Sequence, residues 1–167
     1  MKFIGNFTYM KPLLILCVST LFFSCTSTPE NLSIKKIALA NFSLEIDTAL
    51  KYQETNANMA MAKIIGENIA PIVLFNFGNK PISLKANIER WKGQLSEVQN
   101  EIIETYHDDL IYYIELEGLD NKAQKTFLLS AIIPSDDGPY YFKSTCTKDD
   151  LAKTKFAMQS TLKSIDY

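Results

Sequence analysis

The sequence predicts an α+β fold, an antiparallel sheet covered by helices. Three observations carry this. Apolar residues recur at the two-residue period of a strand through much of residues 34–167, two stretches change to the helical period, and the order along the chain is strands, helix, strands, helix.

The elements follow in order. Ile37-Ala38-Leu39 and residues 41–46 read as extended, the second with Phe42, Leu44 and Ile46 alternating against polar neighbours. Residues 50–54 are a further strand, and Asn56-Ala57-Asn58 is turn-like. Residues 59–66 are ambiguous, since Met, Ala and Lys favour helix. The run is short, however, and ends in Gly66-Glu67-Asn68, which suits a hairpin with the β-branched and aromatic residues 72–77; strand is expected for both. Gly78-Asn79-Lys80-Pro81 breaks the chain. A helix is expected over residues 83–95, because Leu84, Ile88, Trp91 and Leu95 share one helical face, Ser83 can cap the start and Gly93 lies near the end.

Residues 101–106 and 110–117 read as strands around His107-Asp108-Asp109, the second apolar enough on both sides to have two covered faces. Residues 126–133 and 140–144 form a hairpin, bounded by Pro134 and Pro139, which cannot donate to a ladder. The last helix is expected over residues 148–165, with Thr147 and Asp150 as a capping-box start and Leu151, Met158, Leu162 and Ile165 as its apolar stripe.

The beginning of the chain has the order of an export signal. Lys2 and Lys11 precede the apolar run Pro12 to Phe23, which is shorter than the roughly 20 residues needed to span a bilayer core. Ser24-Cys25 then places a small residue before a cysteine, the arrangement needed by a lipoprotein peptidase. The expectation is a signal peptide over residues 1–24, lipidation of Cys25, and a short polar tether over residues 25–33 that carries one domain, residues 34–167. The bulky Phe22 and Phe23 depart from the usual lipobox, and an ordinary secretory cut nearby is the alternative. The chain is thus expected in the bacterial cell envelope, lipid-anchored at the periplasmic side of the outer membrane.

Composition narrows the partners. At 47% hydrophobic and 22% charged residues the chain can bury a core. Residues 1–24 hold two of the 17 basic residues and none of the 19 acidic ones, so the rest carries a net charge of −4. That balance, without a basic cluster, argues against nucleic acid. Cys17 leaves with the leader and Cys25 is the lipid site, so Cys146 has no internal disulfide partner and is expected as a small buried side chain.

No catalytic set stands out, and no cofactor or metal is expected. His107 is the single histidine, and beside Asp108 and Asp109 it reads as a solvated turn before it reads as a metal site. Asp136-Asp137-Gly138 lacks the later ligands of a calcium loop and reads as a hairpin turn. A nucleophilic triad, a Walker motif and a dinucleotide fingerprint are all missing, and Glu115 with Glu117 is a weak acid pair. The best candidates for binding are Arg90, Trp91 and Gln94: Trp91 on the apolar face, Arg90 and Gln94 on a neighbouring stripe that can take a carboxylate or a partner backbone. The structural alternative is that Arg90 and Gln94 brace the loop before the helix.

Two stretches also carry a resemblance. Phe75-Asn76-Phe77-Gly78, followed by Lys85-Ala86-Asn87-Ile88-Glu89-Arg90-Trp91-Lys92-Gly93-Gln94-Leu95, resembles a signature of uncharacterised exported bacterial proteins: an aromatic strand, a glycine-rich loop, then Asn-x-x-Arg-Trp-x-Gly-Gln. Leu128 to Ile133, Tyr141 to Thr145 and the terminal Leu162-Lys163-Ser164-Ile165 resemble the closing strands and helix of the same proteins. The overall pattern is similar to the PsbP-like superfold, an α/β/α sandwich found in extrinsic photosynthetic subunits and many bacterial lipoproteins. Asn79-Lys80-Pro81-Ile82 departs from it, standing where those proteins are richer in glycine. The resemblance implies a non-catalytic binding or assembly module with an envelope protein as partner, and not an enzyme. A small-ligand or metal carrier is the alternative, with an envelope hydrolase a distant third.

Overall fold

A computed structural model describes residues 34–39, 41–55, 60–76, 78 and 83–167. The chain divides into two units, Met1–Leu32 and Ser33–Tyr167, and the described residues all belong to the second. The signal peptide, Cys25, the tether and the loop at residues 79–82 lie outside the described residues.

Among the described residues there are nine strands and two helices. β1 (Ile34–Leu39) and β2 (Phe42–Asp47) form an antiparallel hairpin. β3 (Lys51–Glu54), β4 (Ala60–Ile65), β5 (Ile72–Asn76), β6 (Glu97–Tyr106), β7 (Ile111–Leu119), β8 (Lys125–Ile133) and β9 (Tyr140–Cys146) form one sheet in the order β3-β4-β5-β9-β8-β7-β6. Every pairing in it is antiparallel. α1 (Leu84–Lys92) covers one face; α2 (Lys148–Lys163) and the β1–β2 hairpin cover the other.

The two-residue alternation decides which side chain joins which layer. On β8, Phe127, Leu129, Ala131 and Ile133 join the cluster that holds Met158 and Leu162 of α2 and Phe42, Leu44 and Ile46 of β2. Leu128 and Ile132 point the opposite way, toward Ile88 and Trp91 of α1. A strand covered on both faces needs both sets apolar, which explains the near-continuous apolar runs of β7 and β8. Within the stretch of helix-favouring composition, Ala60–Ile65 forms a strand because Ala62 and Ile64 are buried against this sheet. Asn68, at φ 57°, makes the left-handed turn that follows.

Several element ends differ from expectation, and local hydrogen bonds account for the following ones. α1 ends at Lys92, so Gln94 and Leu95 lie in a turn beyond it. The Gly93 amide donates to Glu89 O (3.0 Å) and that of Gln94 to Trp91 O (3.0 Å), which closes the last carbonyls and stops the helix. β6 begins at Glu97 instead of residue 101, because Ser96 N donates to Leu119 O (2.7 Å) and starts the ladder early through polar residues. At α2 the expected capping box does not form: the Thr147 hydroxyl donates to Asp150 Oδ2 (3.4 Å), and no side chain caps the backbone. At α1 the cap is present, with Ser83 Oγ accepting from Ala86 N (3.1 Å).

Candidate functional site

α1 is short, and its contact face is three side chains wide. Asn87, Ile88 and Trp91 are buried, Lys92 forms an ion pair with Glu101 of β6 (2.7 Å), and Arg90 faces outward. Trp91 packs edge-on against Tyr141 of β9, with ring centroids 6.5 Å apart. Beside this contact lies a cleft of about 120 Å³ between α1 and strands β5, β9 and β8. Phe75, Trp91 and Tyr141 supply its aromatic walls. Asn87, Arg90, Gln94 and Lys143 supply polar groups, with Ser130 beneath them.

The structure therefore brings Arg90, Trp91 and Gln94 to one site, with a division of labour. Trp91, 4% exposed, is a wall. Among the described residues, Gln94 Oε1 accepts from Lys143 Nζ and ties the post-helix turn to the sheet; the loop before the helix lies outside the described residues. Arg90 is exposed and has no hydrogen bond or ion pair among the described residues. Sequence reasoning missed Asn87 and Lys143. Asn87 lies on the buried side of α1, 1% exposed, and its Nδ2 has no hydrogen-bond partner. Lys143 is half-buried on β9, and burial pushes its ammonium below the ordinary lysine range. The one signal for Asn87 was a polar residue inside an apolar helical stripe. Lys143 had none, because β9 pairs with β5 across some 70 residues of chain.

The other candidate groups are committed elsewhere. His107 Nε2 donates to Leu162 O (2.8 Å), at the C-terminal end of α2. The turn there is not merely solvated: His107, Asp108 and Asp109 all have positive φ, and His107 fastens the β6–β7 connection to the helix. Glu115 is buried and accepts from Lys155 Nζ (2.7 Å) and from the Tyr113 hydroxyl (3.3 Å), while Glu117 pairs with Lys125. Asp137 of the β8–β9 turn accepts from Ser135 Oγ (2.6 Å) and from the Tyr140 hydroxyl (3.0 Å), which holds its carboxyl below the usual range. Among the described residues no group of three His, Cys, Asp or Glu side chains converges as a metal site would require.

A second, larger cleft of about 330 Å³ lies against α2, where Phe156 is 73% exposed. Its rim holds Glu45, Asp47 and Lys153, which are charges of both signs.

No protein-family model matches the chain, and no curated protein does so either. Solved structures do. The chain is similar to the cyanobacterial PsbP (CyanoP) of Synechocystis sp. PCC 6803, with a TM-score of 0.59, 10% identity, and 87% of this chain and 98% of that one covered. It is also similar to LpqN of Mycobacterium tuberculosis, described as involved in cell envelope biogenesis, with a TM-score of 0.54, 10% identity, and coverage of 80% and 90%. The fold is PsbP-like: two helices and a large antiparallel sheet in an α/β/α arrangement.

Proposed function

We propose that the chain is a non-catalytic binding or assembly module of the bacterial cell envelope, tethered to a membrane by lipid on Cys25. Its working surface is the α1 cleft with the sheet face beside it. The observation that carries this is the cleft itself, which gathers Arg90, Asn87 and Lys143 over aromatic walls while the acids that might do chemistry are paired off elsewhere. Two further facts support the setting. A protein of the same fold, LpqN, is described as involved in envelope biogenesis. Ser24-Cys25 also ends an apolar run too short to be a membrane span.

The reading is tested by affinity capture of the full chain from detergent-solubilised envelopes, with the Arg90→Ala/Gln94→Ala double variant as the control. The expected result is an envelope protein recovered with the parent chain and at least about fivefold depleted with the variant, the loss that follows when a charged anchor leaves an interface. Mass analysis of the same preparation is expected to find a diacylglyceryl-modified Cys25 as the first residue. An unmodified N-terminus elsewhere removes the tether, and equal recovery by parent and variant removes the cleft as the working surface.

A further inference from the structure

Asn87 presents a donor that nothing in the fold uses. Its side chain is 1% exposed, lines the α1 cleft, and offers Nδ2 without an acceptor. A buried amide N–H left unpaired costs about 1–3 kcal/mol, so its retention in a packed helix face calls for a functional reason.

The charged side chains that line the cleft, Arg90 and Lys143, have one sign. Lys143 bonds to the neutral amide of Gln94, and no described carboxylate pairs with Lys143 or Arg90. The sheet extends this pattern. Register sets Lys143 beside Val73, Val73 beside Lys63, and Lys63 beside Gln53, so these side chains form a row on the α1 face. Lys51, two residues before Gln53, shares that face. Glu54 is the one acid on β3, β4, β5 and β9, and it pairs with Ala62, which points to the opposite core. A net negative domain thus carries lysines and no acid on the α1 side of these four strands, and Lys143 is half-buried there without a counter-charge.

We propose that the α1 cleft binds a small organic carboxylate, its oxygens taken by Asn87 Nδ2, the Lys143 ammonium and the Arg90 guanidinium, its carbon body lying against Phe75, Trp91 and Tyr141. This names the ligand class of the working surface described above and rests on that reading. The cleft, at about 120 Å³, is close to four water volumes, which suits a group of a few heavy atoms. A planar carboxylate matches the fork of a guanidinium and fits between aromatic walls. A phosphate dianion is disfavoured relative to a carboxylate monoanion: the lining residues 87, 90, 91 and 94 follow the body and C-terminal end of α1, where the helix dipole is negative, and that repulsion grows with the ligand's charge.

Trp91 is the single tryptophan of the chain and stands in the cleft wall, so its emission reports on occupancy. The test titrates the full chain in detergent micelles, at constant ionic strength, with butyrate, with uncharged butyramide and with inorganic phosphate. Butyrate is expected to give a saturable change that butyramide does not. Lys143→Gln and Arg90→Gln are each expected to weaken it about tenfold, as loss of a charge-assisted hydrogen bond does. Arg90 is exposed, so its variant keeps the fold even where Lys143→Gln does not, and circular dichroism checks both. The proposal is overturned by an equal response to butyramide, by unchanged affinity in the folded variants, by saturation with phosphate alone, or by no saturable response. Such a failure with partner capture intact leaves the binding module standing without its carboxylate; loss of capture with butyrate binding intact does the reverse.

Discussion

Cys146 and Glu115 show what burial does to a titratable side chain when the fold provides for it. The Cys146 thiol is 4% exposed; burial first, then the negative charges of Asp150 and Glu115, push it up to about 12. Because the thiolate is the disfavoured form, it gains no population until the pH approaches that value, so in folded protein at mildly alkaline pH the alkylation rate should fall on the order of a thousandfold below that of an exposed cysteine. Site-mapped alkylation is expected to leave Cys146 unmodified in the native chain and to label it after denaturation; rapid native labelling would contradict its packing. Glu115, 8% exposed, has its buried carboxyl oxygens satisfied, because Lys155 and Tyr113 both donate to it. Asn87 and Lys143 are the contrasting case: Asn87 is fully enclosed with no partner for its Nδ2, and Lys143 is half-buried with only a neutral one. That contrast, more than the cleft's size, separates groups that stabilise the fold from groups held ready for a ligand.

Glycines distinguish close approach from chain ending. A Cβ on Gly118 would stand 2.1 Å from Glu97 O, at the bulge where the β6–β7 register shifts between Val98 and Asn100. Gly118→Ala is therefore expected to cost about 1–3 kcal/mol, seen as a lowered denaturation midpoint, by forcing the start of β6 off the sheet. At Gly93, φ is −64° and the nearest atoms to a Cβ are at 3.5 Å, so Gly93→Ala should be neutral or stabilise by up to about 1 kcal/mol. Matching losses in the two variants would show that close approach is not the cause. The sequence made α1 legible because Ile88, Trp91 and the Ser83 cap are local signals. It hid the start of β6, since Glu97, Gln99 and Asn100 look like a loop, and the stretch becomes strand only by pairing Glu97 with Leu119, Val98 with Gly118 and Asn100 with Glu117. The cleft was half legible for the same reason. Arg90, Trp91 and Gln94 are neighbours in sequence, whereas Lys143, Tyr141 and Phe75 reach them only through the non-local β5–β9 pairing. Thr147 had the right spacing for a cap, but its hydroxyl is directed to Asp150 instead.

The sheet divides the domain into two unequal cores. The larger one joins β1 and β2 to α2, which is held further by Ala70 N donating to Thr154 Oγ1 (2.9 Å), Glu45 N donating to Ser164 Oγ (2.8 Å) and a bridge between Ser43 and Asp166. The smaller core fixes α1 alone. Opening α1 exposes less apolar surface and breaks fewer long-range bonds, so native-state hydrogen exchange should show α1 amides opening at lower free energy than those of α2. Equal protection would mean that the two faces unfold as one unit. The order of strands has another consequence, for the time at which the protein can fold. β3-β4-β5 and β6-β7-β8 are each sequential ribbons, and β9 alone pairs with both. A growing chain that has not yet released residues 140–146 from the ribosome holds two half-sheets with nothing to join them, and α2 comes later still. The joined sheet must wait for β9, at the entropic cost of closing a long loop between β5 and β9. Such a polypeptide keeps its two ribbons pliable until residues 140–146 emerge to join them.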